Sequence, residues 1–212
     1  MTSPSPLLYD SYYHIYNRGI NRENIFIEER NYAYFLDLQG KHVAPVADLY
    51  AYCLLRNHFH MLVRVRSEEE IRQTLKVSGD EKSLKVSETF RDSYPSKKFS
   101  DFFNAYAKAI NKAYNRTGSL FQHPFGRVLV TSDRQLWNVI AYIHQHPQKH
   151  KFVDDFRDWK YSSYGIMLGD APGIVQRAAV LDWFGDVDGY RQIHAQWVSD
   201  AQSKWFAEDD FD

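Results

Sequence analysis

Two short runs hold the residues of this chain whose types and spacing suit chemistry. In Asn57-His58-Phe59-His60-Met61-Leu62-Val63, one residue separates two histidines, so on a β-strand both imidazoles leave the same face and Phe59 leaves the other. Their Cα atoms would stand about 7 Å apart, twice the strand rise, and two rings so placed can converge on one divalent ion. A pair needs a third ligand, and the same pattern also suits a strand whose histidines are merely half exposed. The second run is Tyr142-Ile143-His144-Gln145-His146-Pro147. On a helix, Tyr142 and His146 are four residues apart and share a face, whereas His144 lies about 200° round from Tyr142. His146 is therefore the better candidate for the third ligand. A tyrosine in such a helix is ordinarily a core or boundary aromatic, and only a nearby metal gives it another use. A phenol, with a pKa of about 10, is a poor nucleophile at neutral pH unless base, metal or positive surroundings favour the phenolate. An ion beside it would stabilise charge on a phosphoryl oxygen and order the phosphate for in-line attack. Attack by tyrosine keeps the phosphoester energy in a covalent link, so strand transfer or rejoining needs no other energy source.

These residues need a scaffold, and the rest of the sequence supplies one. Tyr12 to Asn17 is rich in strand formers and stops at Arg18-Gly19, which predicts a first strand. Apolar residues recur at helical spacing from Glu29 to about His42, with Gly40 and Pro45 as stop signals. Leu49 to Leu55 and Phe59 to Val65, separated by Arg56, Asn57 and His58, read as an antiparallel hairpin with a tight turn. Residues 67 to 98 form a polar excursion with a short helix or hairpin. Phe99 to Tyr114 carries a helical stripe of Phe102, Phe103, Tyr106, Ala109, Ile110 and Ala113. Val128 to Val130 is a short strand, and Asp133 caps a helix that runs to Pro147, which marks its end. Beyond it lie Trp159 to Tyr164, a loop near Pro172-Gly173 and an amphipathic helix from about Gly189 to Phe206. This order suits an α+β fold in which helices cover an antiparallel sheet.

Composition sets the bounds. With 44% apolar and 16% aromatic residues in 212, the chain can bury one good core, which predicts one compact domain with appendages. Cys53 is the single cysteine and cannot form an intramolecular disulfide, which fits a reduced cytoplasm. No leader pattern and no run of about 18 apolar residues is present, so neither a targeting signal nor a membrane is expected. The net charge of −1 hides an asymmetry: residues 1 to 151 hold 21 Lys and Arg against 15 Asp and Glu, and residues 152 to 212 hold 5 against 12. A basic body with an acidic tail is compatible with phosphate binding by the body. The acidic part contains Trp183, Trp197 and Trp205 and is expected to pack, with only Glu208 to Asp212 as a candidate loose tail.

Several separated motifs together resemble a known family. They are His14-Ile15-Tyr16-Asn17-Arg18-Gly19 with Ile25-Phe26 and Phe35-Leu36, then Asn57-His58-Phe59-His60-Met61-Leu62, Gly118-Ser119-Leu120-Phe121-Gln122, Tyr142-Ile143 with His146-Pro147, and Trp159 to Tyr164. In order and spacing, over roughly residues 11 to 168, they resemble the single-tyrosine HUH transposases of bacterial insertion sequences, and most of all their REP-associated branch. The resemblance implies an RRM-like or ferredoxin-like antiparallel sheet, a transposase domain over 1–168 and an acidic helical extension over 169–212 packed on it. It implies a DNA-cleaving and strand-transferring enzyme acting on single-stranded DNA with hairpins, with Mg²⁺ or Mn²⁺ as cofactor and a 5′-phosphotyrosine intermediate. Tyr142 would be the nucleophile, and His58 and His60 would hold the metal.

Two departures bear on that reading. His146 stands where the family commonly has Asn or Gln, and three imidazoles suit Mn²⁺ or Zn²⁺ better than Mg²⁺. Leu55-Arg56 replaces a frequent Met-Pro, which adds positive charge without touching the ligands. Arg18, Arg116 and Arg127 flank the motifs and are the first candidates for phosphate contacts, with Gln122 in a loop able to approach DNA. Tyr16, Phe121 and Phe125 suit base stacking or core packing equally. Relatives of this kind work as monomers or homodimers, and in dimers the tyrosine helix can complete the partner's site. Two other functions stay open: a catalytically silent, domesticated single-stranded DNA-binding protein, and a three-histidine zinc hydrolase.

Overall fold

The computed structural model describes residues 5–89, 91–170 and 173–203. Its strands are β1 (Tyr12–Arg18), β2 (Ala47–Leu55), β3 (His58–Val65) and β4 (Gly126–Val130). The helices among the described residues are α1 (Glu29–His42), α2 (Glu68–Val77), α3 (Glu81–Thr89), α4 (Tyr94–Ala113), α5 (Asp133–Lys149), α6 (Tyr164–Leu168), α7 (Arg177–Phe184), α8 (Val187–Ala195) and α9 (Asp200–Ser203). The sheet order is β2-β3-β1-β4 with every neighbouring pair antiparallel, and α1 and α4 are the two crossovers. This is the ferredoxin-like α+β arrangement that the element order predicts.

Register and alternation divide the sheet into two unlike faces. Ile15 pairs with Met61 and Asn17 with Phe59, so these side chains share a face. Phe59 meets Phe35 at 4.9 Å and Phe103 at 5.5 Å between ring centroids, which places α1 and α4 on that side. Tyr16 pairs with His60 and Arg18 with His58, so the other face carries the histidines, and α5 lies across it. At the edge of this face, Gly126 sits opposite Tyr16. A Cβ there would come within 2.2 Å of the Tyr16 ring, so the absence of a side chain lets the ring lie over β4 and stack near His60.

The elements differ from the sequence reading in ways that matter for the site. The hairpin turn is only Arg56-Asn57, and His58 is already in β3, opposite Leu55. The polar excursion is two helices, and α2 is fixed by a capping box: Ser67 Oγ accepts from Glu70 N (3.1 Å), and Ser67 N donates to Glu70 Oε2 (2.7 Å). α4 begins at Tyr94, because Pro95 falls in the first turn, where a helix does not need its missing N–H. α5 is capped by Ser132, whose Oγ accepts from Gln135 N, and it runs past Pro147 to Lys149. Pro147 costs little so close to the end, and His150 N still donates to His146 O (3.0 Å).

The C-terminal segment packs on the outer side of α5 and along the free edge of β2. Val180, Tyr190 and Val198 belong to the same apolar core as the sheet. Leu54 N donates to Tyr161 O, Ser163 N to Tyr52 O and Gln176 N to Leu49 O, which covers the edge of β2. The expected single helix from Gly189 is broken after Ala195. The buried Gln145 amide donates to His194 O (3.0 Å) and Gln196 O (2.8 Å) and accepts from Val198 N (3.0 Å), holding residues 196–198 extended. The end proposed for that helix at Phe206, together with Pro172, Trp205 and Glu208 to Asp212, lies outside the described residues. Among the described residues no helix is long and apolar enough to cross a membrane.

His144 anchors this packing. Its Nδ1 meets His194 Nε2 at 2.8 Å and Tyr190 Oη at 3.1 Å, and its Nε2 meets Ser163 Oγ at 2.8 Å. Burial holds both imidazoles below their ordinary pKa, and His194 is pulled down to about 4. The unfolded chain therefore binds more protons than the folded chain between about pH 6.5 and 4, so stability is complete above that window and is lost as pH falls through it. His194 alone accounts for about 3 kcal/mol of this loss. Thermal midpoints measured from pH 7.5 to 4.5 should fall steadily below pH 6.5, and His194→Asn should flatten that slope. A pH-independent midpoint would contradict the account. At the opposite edge, Gly126→Ala should lower stability by about 1–3 kcal/mol by driving a methyl into the Tyr16 ring, as read from denaturant midpoints.

Candidate metal and nucleophile site

The site forms where α5 crosses the histidine face of the sheet. β3 contributes His58 and His60, β1 contributes His14 and Tyr16 beside them, and α5 lowers Tyr142 and His146 onto the group from above. His58, His60, His146 and Tyr142 are all buried. Ring centroids lie 4.1 Å apart for His60 and His146, 5.1 Å for His58 and His146, and 4.9 Å for Tyr142 and His146. Tyr142 stands edge-on to His60 at 5.8 Å, and the Lys149 ammonium lies 5.5 Å from the centre of the Tyr142 ring.

The hydrogen bonds orient the rings. Asn57 Oδ1 can only accept, so His58 Nδ1 donates to it (2.7 Å), and the His58 Nε2 lone pair faces His146 Nε2 at 3.0 Å. His60 Nδ1 is engaged by His14 Nε2 at 2.9 Å. His60 Nε2 and His146 Nδ1 are buried without a hydrogen-bond partner among the described residues. Burial first, and then the neighbouring imidazoles, hold His60 and His146 well below the ordinary histidine pKa. Both are neutral at physiological pH, which is the form that ligates metals. One nitrogen each of His58, His146 and His150 lies within 4.8 Å of the other two. Neutral nitrogen donors in a buried cluster fit a first-row divalent ion.

The other sequence candidates are dispersed. Arg18 is buried next to His58 in register, and its carbonyl accepts from Gln122 N (2.9 Å), so Arg18 and Gln122 meet at the rim of the histidine face. Arg116 lies beyond the end of α4, engaged by Glu23 and near Asn111 Oδ1 (3.4 Å). Arg127 pairs in register with Ile15 and therefore projects from the opposite face. There its guanidinium stacks 3.8 Å from the centre of the Phe125 ring and donates to Ser5 O. Phe121 and Phe125 are buried against Phe103, and Tyr16 is buried over Gly126, so none of the three is exposed for base stacking. His144 points away from Tyr142, as its helical angle predicts.

Sequence reasoning missed His150. It follows His146 by the same four-residue step that relates His146 to Tyr142, and reading Pro147 as the end of the helix hid that step.

No protein-family model matches the chain. A protein of Haemophilus influenzae, described provisionally as a REP-associated tyrosine transposase, is 26% identical over 117 residues, which are 54% of this chain and 57% of that protein. The chain thus aligns with little more than half the length of that relative. A solved structure of a REP-associated tyrosine transposase bound to a REP hairpin matches 83% of this chain and 94% of its own, with a TM-score of 0.57 and 11% identity, which is a likeness of fold. In sequence over about half its length and in fold, the chain resembles the REP-associated tyrosine transposases.

Proposed function

We propose that this chain is a metal-dependent single-stranded DNA endonuclease and strand transferase that cuts hairpin-bearing DNA through a 5′-phosphotyrosine. One observation carries the reading: Tyr142 lies one helical turn from His146 and edge-on to His60, in the same buried pocket as His58. His58, His60 and His146 would line the site of a divalent ion, which would supply charge stabilisation at a phosphate oxygen and order the phosphate for in-line attack. Tyr142 Oη forms the new bond to phosphorus and gives up its proton. The bond to the 3′ oxygen breaks, and that oxygen leaves as a free hydroxyl after taking up a proton. The reverse attack by another 3′ hydroxyl releases Tyr142, so phosphodiester bonds are conserved and strands are exchanged.

The chain's other residues have supporting roles. Asn57 holds the His58 ring in the tautomer that presents Nε2, and His14 orients the His60 ring through Nδ1. Gln122, half-buried at the rim, meets a DNA phosphate, while the buried Arg18 lends positive charge beside His58. Arg116, engaged by Glu23, and Arg127, on the opposite face of the sheet, take no part at the pocket. Because Tyr142 lies among its own chain's histidines, attack in cis needs no partner subunit. The reduced Cys53 and a DNA substrate fit a cytoplasmic protein.

Incubating the protein with Mn²⁺ and labelled single-stranded hairpin DNA should give a covalent adduct that survives a denaturing gel. Tyr142→Phe should abolish the adduct while leaving binding intact. His58→Ala and His60→Ala should each reduce its formation by about 100-fold or more. Binding by the wild-type chain without any adduct would replace this reading with a silent DNA-binding protein. Absence of binding at low salt, where phosphate contacts are strongest, would overturn the DNA reading altogether.

A further inference from the structure

Of the five imidazoles gathered where α5 crosses the sheet, the three whose nitrogens converge are not the three that the motif spacing selects. His58, His146 and His150 each offer a nitrogen within 4.8 Å of the others. His60 lies close to His146 by ring centre, but among the described residues its nitrogens do not join that converging trio. The path of the chain brings His150 in. α5 continues through Pro147, His150 N bonds back to His146 O, and the two rings follow one another on one helix face, 4.3 Å apart between centroids. The His150 ring then stands 5.3 Å from His58 across the gap between helix and strand. Two nitrogens on one ion at about 2.1 Å, in a tetrahedral arrangement, stand about 3.4 Å apart. The 3.0 Å between His58 Nε2 and His146 Nε2 is already near that value.

We propose that His150 is a ligand of the metal ion, forming with His58 and His146 a three-imidazole centre that takes Zn²⁺, Co²⁺ or Mn²⁺ in strong preference to Mg²⁺. The selectivity follows from the donors, since Mg²⁺ demands oxygen ligands and keeps its water, whereas imidazole suits the later first-row ions. Half-buried at the end of α5, His150 also closes the side of the centre toward solvent. The inference rests on the reading of this pocket as a metal centre and is independent of whether DNA is cut.

Metal binding to the full chain separates the possibilities. Zn²⁺ titrated calorimetrically, and Co²⁺ followed by its visible absorption, should bind the wild-type chain at one site, with Mg²⁺ at least about 100-fold weaker. His150→Ala and His150→Gln should each weaken Zn²⁺ and Co²⁺ by about 100-fold and change the Co²⁺ spectrum, with the metal-free thermal midpoint preserved. Tyr142→Phe should bind both ions as the wild type does. X-ray absorption at the zinc edge of the wild-type chain should count at least three imidazoles, and His60→Ala should keep three. If the His150 variants bind as the wild type does, or if zinc loses an imidazole in His60→Ala but not in His150→Ala, the proposal is overturned and the His58, His60 and His146 set stands. If the wild-type chain binds none of these ions, both fail.

Discussion

A slip of one residue between β3 and its neighbours would turn every side chain of that strand to the other face of the sheet. His58 and His60 would then enter the phenylalanine layer under α1 and α4, and Phe59 would face α5. The short turn at Arg56-Asn57 prevents this by fixing His58 opposite Leu55, and β1 repeats the constraint by setting Arg18 opposite His58 and Tyr16 opposite His60. Phe59 enforces the same choice energetically, since its ring is buried among Phe35, Phe103 and Phe121 and a slip would expose that surface. The apolar half of the strand thus holds the polar half in place.

Burying so many imidazoles has a cost in desolvation, and the chain offsets it by pairing them. His14 partners His60 and His58 partners His146 on the inner side of α5, while His144 partners His194, Ser163 and Tyr190 on the outer side. Neutral rings accept this arrangement because each can donate from one nitrogen and accept at the other. The nitrogens of His60 and His146 that stay without a partner among the described residues are the exception.

The sequence was most legible where the pattern is local. The bounds of α1 agree with its apolar spacing, and the shared face of His58 and His60 follows from strand alternation alone. It was least legible where a distant group decides. Pro147 stops a helix by its own chemistry, yet here it falls so near the end that the ladder loses little, and His150 stays in line with His146. The break after Ala195 is imposed by Gln145, some fifty residues earlier, and no local propensity announces it. Arg127 looked well placed beside the motifs, but the face it takes depends on which residue of β4 pairs with Ile15, a parity that a short strand does not declare.

The outer side of α5 is as tightly specified as the inner one. His144 and Gln145, the residues between Tyr142 and His146 that face away from the histidine cluster, are held by α8 and the segment after it. The height and roll of the helix that carries Tyr142 are thus clamped between the sheet and a segment outside the motif region. The C-terminal segment acts as a backplate against which α5 is aligned. Exchange of that segment between related chains would reset the alignment unless the partners of His144 and Gln145 travelled with it.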